Sequence, residues 1–199
     1  MTIIPVAGRL TIAAVALALM TTTAPAQMMT GHGGGHGGGQ GMMQHGQDGT
    51  GHDEVNMPGL RGLNATPGES ADLQRMFHHF QALHREVENL PNGIRTVTGS
   101  DDPYVLDALI RHVTQMIGRV EAGDDPQIFI QSPTLDIFFD RRDALVTDIE
   151  MTDAGIVVTQ TSDDPELVAA MHTHAAEVSD MAARGMQAVH EMMMQQAGN

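Results

Sequence analysis

Imidazole and thioether groups are the reactive inventory of this 199-residue chain, which carries 11 histidines and 16 methionines but no cysteine or tryptophan. Without cysteine there is no disulfide, thiolate nucleophile, iron–sulfur cluster or covalent haem attachment. Imidazole suits Cu(II), Zn(II) and Ni(II), whereas thioether is soft and selects Cu(I). Thioethers do not titrate, so they hold Cu(I) in an acidic medium where imidazole is protonated and competes poorly. Mixed Met and His therefore point to copper in either redox state. Zinc and nickel are the alternatives, and for them Met adds little.

These donors fall in three places. The first is a Gly-rich stretch in which His32, His36, His45 and His52 alternate with Met28, Met29, Met42 and Met43. Glycine lets almost any ligand geometry form there, while the alternative is a flexible linker of biased composition. The second is His112 with Met116 one turn on, and His174, each on a helical stripe. A His112–Met116–His174 constellation would make a copper site. The plainer reading has both histidines at the core edge, hydrogen-bonded, with Met as filler. The third is the C-terminal stripe Met186, His190 and Met193. A packing face is its ordinary meaning, but the run Met192–Met194 covers more of a helix circumference than packing needs. His78, His79 and His84 are weaker candidates, read as solvated or flanking an apolar stripe.

The stretch QMMTGHGGGHGGGQGMMQHGQ from Gln27 resembles the Met/His-rich segments of secreted bacterial copper-handling proteins. That resemblance implies copper handling outside the cytoplasm. The duplicated region that carries Gly-Ile, Ser-Asp-Asp-Pro and a later His is also similar to an uncharacterised type of secreted bacterial domain, and implies no activity.

The elements that must position the donors follow from composition and repeats. Residues 1–26 read as a signal peptide: Arg9, then the apolar run Leu10–Met20, then Ala24-Pro25-Ala26 before Gln27. Eleven apolar residues are too few to span a bilayer. The expected compartment is the periplasm, with no membrane span after cleavage. Residues 27–70 lack an aromatic and a periodic apolar face, so the expectation is a disordered tail. Residues 71–195 are then the folded domain.

That domain is duplicated. Residues 76–123 lie over 138–185 without a gap, and 13 of 48 positions are identical, including Gly93/Gly155, the two Ser-Asp-Asp-Pro tetrads, His112/His174 and Gly123/Gly185. Two copies are too few for a solenoid and imply one pseudo-twofold domain. Leu73, Met76, Phe77, Phe80, Leu83 and Val87 recur at three and four, as do Leu135, Phe138, Phe139, Leu145 and Ile149, which predicts a helix in each copy. Gly93 and Gly155 break these helices and start β-prone runs. Asp102 and Asp164, before Pro103 and Pro165, sit where helix caps belong, a fuller explanation than calcium or catalytic carboxylates. The expected fold class is α+β, mainly helical, with two pseudo-twofold helix–strand–helix repeats: four helices and two short antiparallel strands. A Met-rich helix follows, kinked at Gly185.

The formal charge of −15 excludes a nucleic-acid binder, which needs a basic footprint. No GxSxG, HExxH or P-loop is present, and the paired acids have no base or nucleophile at recognisable spacing, so no enzyme is expected. Arg141–Arg142 reads as a solvated pair rather than an anion site. The leading expectation is a periplasmic copper buffer, scavenger or chaperone whose partner is the ion itself. The rival is an envelope structural or interaction module that pairs with a periplasmic protein or a second copy, with the tail as spacer.

Overall fold

A computed structural model describes residues 55–197. The expected signal peptide and nearly all of the expected tail, with Met28, Met29, His32, His36, Met42, Met43, His45 and His52, lie outside the described residues. The chain enters the fold earlier than a tail running to residue 70 would. Met57 and Leu60 are buried around a short 3-10 turn, Pro58–Leu60, and Gly62 bridges Ile128.

The expectation of four helices and two strands is corrected: among the described residues there are five α-helices and a four-stranded antiparallel sheet. The order is α1 (Pro67–His78), β1 (Leu83–Leu90), β2 (Gly93–Ser100), α2 (Pro103–Ala122), α3 (Asp136–Asp140), β3 (Val146–Thr152), β4 (Gly155–Thr161), α4 (Pro165–Arg184) and α5 (Met186–Ala197). Each repeat is a helix, a hairpin and a helix. The end of each expected first helix is the first strand of that hairpin. Leu83 and Val87, or Leu145 and Ile149, are four apart, a spacing that puts them on one face of a helix but also on one face of a strand. The alternation His84, Glu86, Glu88 on the other face, followed by Asn92-Gly93, is the hairpin signal that decides between them.

The sheet order is β1-β2-β4-β3, so the second strands of the two hairpins pair at the centre. Thr96 lies opposite Val158, its own counterpart 62 residues on, which puts the pseudo-twofold axis between them. Gly93 and Gly155 hold equivalent places in that pairing. A Cβ on Gly93 would lie 1.9 Å from the Gln160 carbonyl oxygen, and one on Gly155 would lie 2.1 Å from that of Thr98. These glycines serve a close backbone approach rather than the end of a helix.

Helix starts follow the tetrads. Asp102 accepts from the Tyr104 amide at 2.8 Å, and Asp164 from those of Glu166 and Leu167 at 2.9 and 3.4 Å. Ser100 and Ser162 accept from the Asp102 and Asp164 amides. Arg141 is engaged by Asp164 and Glu166 rather than solvated. Helices α2 and α4 pack on the sheet face that carries Ile94, Thr96 and Thr98, while the exposed Glu86, Glu88, Asp148 and Glu150 lie on the other. One core cluster joins Met57, Leu60, Leu73, Met76, Ala108 and Leu109, and a second joins Ile94, Phe138, Leu167, Met171 and Ala175. Among the described residues no helix is long and apolar enough to cross a membrane.

Candidate metal centre

His112 and His174 sit at equivalent places in the third turn of α2 and of α4, the helices that the tetrads start. Each side chain is half-buried, but the Nδ1 atom of each is shielded from solvent and has no hydrogen-bond partner. Burial pushes the His112 imidazole down to about 4, against the pull of the Asp72 and Glu69 carboxylates, and the proximity of His174 pushes it the same way. His112 is therefore neutral, with a lone pair to offer, at any pH well above 4.

His174 is oriented by its neighbours. The Phe138 ring meets it edge-on, with centroids 5.6 Å apart. Its Nδ1 lies 3.7 Å from Oε2 of Glu177, one turn further along α4, too long for a hydrogen bond. The other oxygen of Glu177 accepts from the Ser132 hydroxyl at 2.8 Å and the Thr134 hydroxyl at 3.3 Å. Burial would raise this carboxyl, but His174 and the two hydroxyls outweigh it and leave it lowered. Its Oε2 is buried and makes no hydrogen bond, and faces His174 alone.

Glu177, rather than Met116, is thus the side chain with a donor atom beside His174. Met116 is half-buried one turn beyond His112. Met171, three residues before His174, is fully buried in the second core cluster. Among the described residues no three His, Asp or Glu side chains are already gathered around a point an ion could occupy.

The C-terminal stripe divides. Gly185, with φ of +59°, separates α4 from α5. Met186 packs against the first core cluster, and Ala188 and Val189 are buried. His190 is exposed, Met192 is half-buried, and Met193 and Met194 are 42% and 63% exposed. The packing face is accordingly Met186, Ala188 and Val189, and the last two methionines stand in water. His78, His79 and His84 are exposed, with His79 edge-on to Tyr104.

One histidine escaped sequence reasoning. His172 places Nε2 2.9 Å from the Gly93 carbonyl and 3.2 Å from that of Leu90, so a proton there ties α4 to the β1–β2 turn. Its counterpart in the first repeat is Ile110, so the duplication carries no trace of it. Comparison of the chain with protein-family models, with curated proteins and with solved structures finds no match.

Proposed function

We propose that this protein is a copper-binding protein of the bacterial periplasm that captures copper through the Met and His donors at its two ends, as a buffer, scavenger or chaperone. The observation that carries the reading is the placement of Met193 and Met194. A methionine run at the end of a helix ordinarily fills a packing face, but here Ala188, Val189 and Met186 fill it. Exposed thioethers make soft donors available to an ion arriving from solution. The four methionines Met28, Met29, Met42 and Met43 and the four histidines His32, His36, His45 and His52 supply further donors.

The mechanism is ligand exchange. Many weak donors on permissive backbone capture quickly and release quickly, which suits handing an ion on rather than locking it away.

Native mass spectrometry tests this on the chain without residues 1–26, on a chain starting at Val55, and on a variant with Met193 and Met194 replaced by Leu. Cu(I) is retained against a micromolar chelator by the first, and progressively less as each end is removed. Loss of all copper to the chelator from the unmodified chain overturns the reading.

A further inference from the structure

We propose that the outer edge of β3 is a docking site for an extended segment of a partner protein in which basic and apolar residues alternate, taken up as an added strand of the sheet. This docking is independent of copper capture, since none of the proposed copper donors takes part in it.

Strands β1 and β3 are the two edges of the sheet and counterparts in the repeat. An edge strand offers a row of unpaired N–H and C=O groups, and proteins guard it with inward-pointing charges or by covering it. Strand β1 is guarded in both ways. Arg85 turns its guanidinium inward, where Nη1 donates to the Thr98 hydroxyl at 2.6 Å, and α4 packs on β1 and β2. Strand β3 has neither guard. Thr147 stands where β1 has Arg85, Met151 where it has Asn89, and Val146 where it has His84. Helix α2 packs on β2 and β4, one strand short of this edge. The result is an apolar strand open to water. Val146, Ile149 and Met151 are 65%, 38% and 51% exposed, and they are three of the ten large hydrophobic side chains exposed among the described residues. Strand β1 contributes only Val87 to that set.

Charge selects the occupant. Ile149 and Met151, opposite Val158 and Ile156, lie on the helix side of the sheet. Asp148 and Glu150, opposite Thr159 and Val157, lie on the open side. In the other hairpin Glu88 has Arg95 opposite it, whereas the two acids of β3 have no cation across from them. A strand laid along β3 sets every second side chain beside Asp148 and Glu150, and those between beside Thr147, Ile149 and Met151. Basic residues fit the first set and apolar residues the second. The formal charge of −15 draws such a segment in and repels an acidic one. A second copy is a poor occupant, because antiparallel pairing of β3 with itself about Ile149 sets Asp148 of one copy against Glu150 of the other.

The test uses the full chain and a short labelled peptide in which Lys and Arg alternate with Val, beside a control with Glu in place of Lys and Arg. By fluorescence anisotropy the basic peptide binds and the acidic one does not. Its binding slows hydrogen exchange at the outward amides of β3 and leaves β1 unchanged. Asp148→Lys combined with Glu150→Lys weakens the basic peptide by on the order of tenfold and brings in the acidic one. Both side chains are exposed, so the fold is kept. Met151→Asn, which restores the residue that β1 carries, weakens binding by about threefold. No binding of the basic peptide, equal binding of both, indifference to the double Lys variant, or protection at β1 in place of β3 overturns the proposal. So does a chain that sediments as a dimer with the β3 amides already protected, which makes a second copy the occupant.

Discussion

In the first half of the domain α1 runs for 12 residues and is tied to α2 by two arginine–carboxylate pairs, whereas in the second half the matching segment shrinks to the five-residue α3. Arg111 grips Asp72 through two nitrogens, at 3.0 and 2.6 Å, and Arg119 holds Glu69 at 2.8 Å. Their counterparts across the repeat are Thr173 with Thr134 and Met181 with Gln131, which cannot form such pairs. The second half is fastened instead by Glu177 on Ser132 and Thr134, and by Arg141 on the start of α4. What stays the same is narrower: the two glycines at the central strand pair, the capping tetrads and the two histidines. Backbone approach and helix initiation are geometric demands that both copies inherit, while polar fastening varies as long as buried groups find partners. The histidines belong with the constant set although neither Nδ1 atom makes a hydrogen bond, which is why they are the candidate site rather than another fastener.

The largest effects test the shared part. Gly93→Ala and Gly155→Ala each force a Cβ against a carbonyl oxygen of the neighbouring strand, with no flexible side chain to yield. Each is expected to cost more than about 3 kcal/mol in denaturant unfolding, the range of severe backbone and packing faults. Equal losses support the pseudo-twofold centre. A tolerated Gly155→Ala beside a damaging Gly93→Ala would break the symmetry at its axis.

Next comes the protonation of His112. The His112 imidazole sits at about 4 in the fold against about 6.5 unfolded. Its folded value is lowered, so below 6.5 the unfolded chain takes up the proton first. Stability is full above pH 6.5 and falls as pH drops toward 4, by about 3 kcal/mol. Measured with chelator present, His112→Leu flattens that segment of the stability curve. A wild-type curve that is level between pH 6.5 and 4 would contradict the burial of His112.

Glu69 acts in a lower window. The bidentate Arg119, followed by the Thr66 backbone and hydroxyl, outweighs burial and holds its carboxyl down to about 2 from 4.5. The stability it contributes is present above pH 4.5 and is lost as pH falls toward 2. Glu69→Gln is expected to cost about 2 kcal/mol at pH 7, because Arg119 keeps Asp124 and the Asn64 carbonyl as partners. Removing Arg141, whose partners are far more exposed, is expected to cost much less. Similar losses would mean that the two halves are fastened alike after all.

The same contrast explains what could be read in advance. The tetrads were legible because Ser, Asp and Pro at a helix start each answer a local backbone requirement. The 62-residue repeat made His112 and His174 legible as a pair. The hairpins were not, because Leu83/Val87 and Leu145/Ile149 satisfy helix and strand alike, and only Asn92-Gly93 tips the balance. Neither turn uses a left-handed residue, since the described positive φ angles fall at Met57, Gly123, Gln127 and Gly185. Glu177 was hidden for a different reason: its counterpart is Gln115, and its orientation is set by Ser132 and Thr134, outside the repeat.

The caps give the smallest effect and the finest comparison. Asp102 accepts from one amide and has the shielded Ser100 behind it, and Asp102→Ala is expected to cost about 1 kcal/mol. Asp164 accepts from two amides and also binds Arg141, which lowers its carboxyl below the ordinary range. Asp164→Ala therefore removes a cap and a salt-bridge partner together and is expected to cost more than Asp102→Ala. The double variant Asp164→Ala, Arg141→Ala separates the two contributions, because it removes the pair without leaving an unmatched guanidinium beside Glu166. If the two single cap variants are equal and Arg141→Ala is silent, the extra partner in the second half contributes nothing. If Asp164→Ala is worse only while Arg141 is present, the second half has added an electrostatic tie to a cap that both halves inherited.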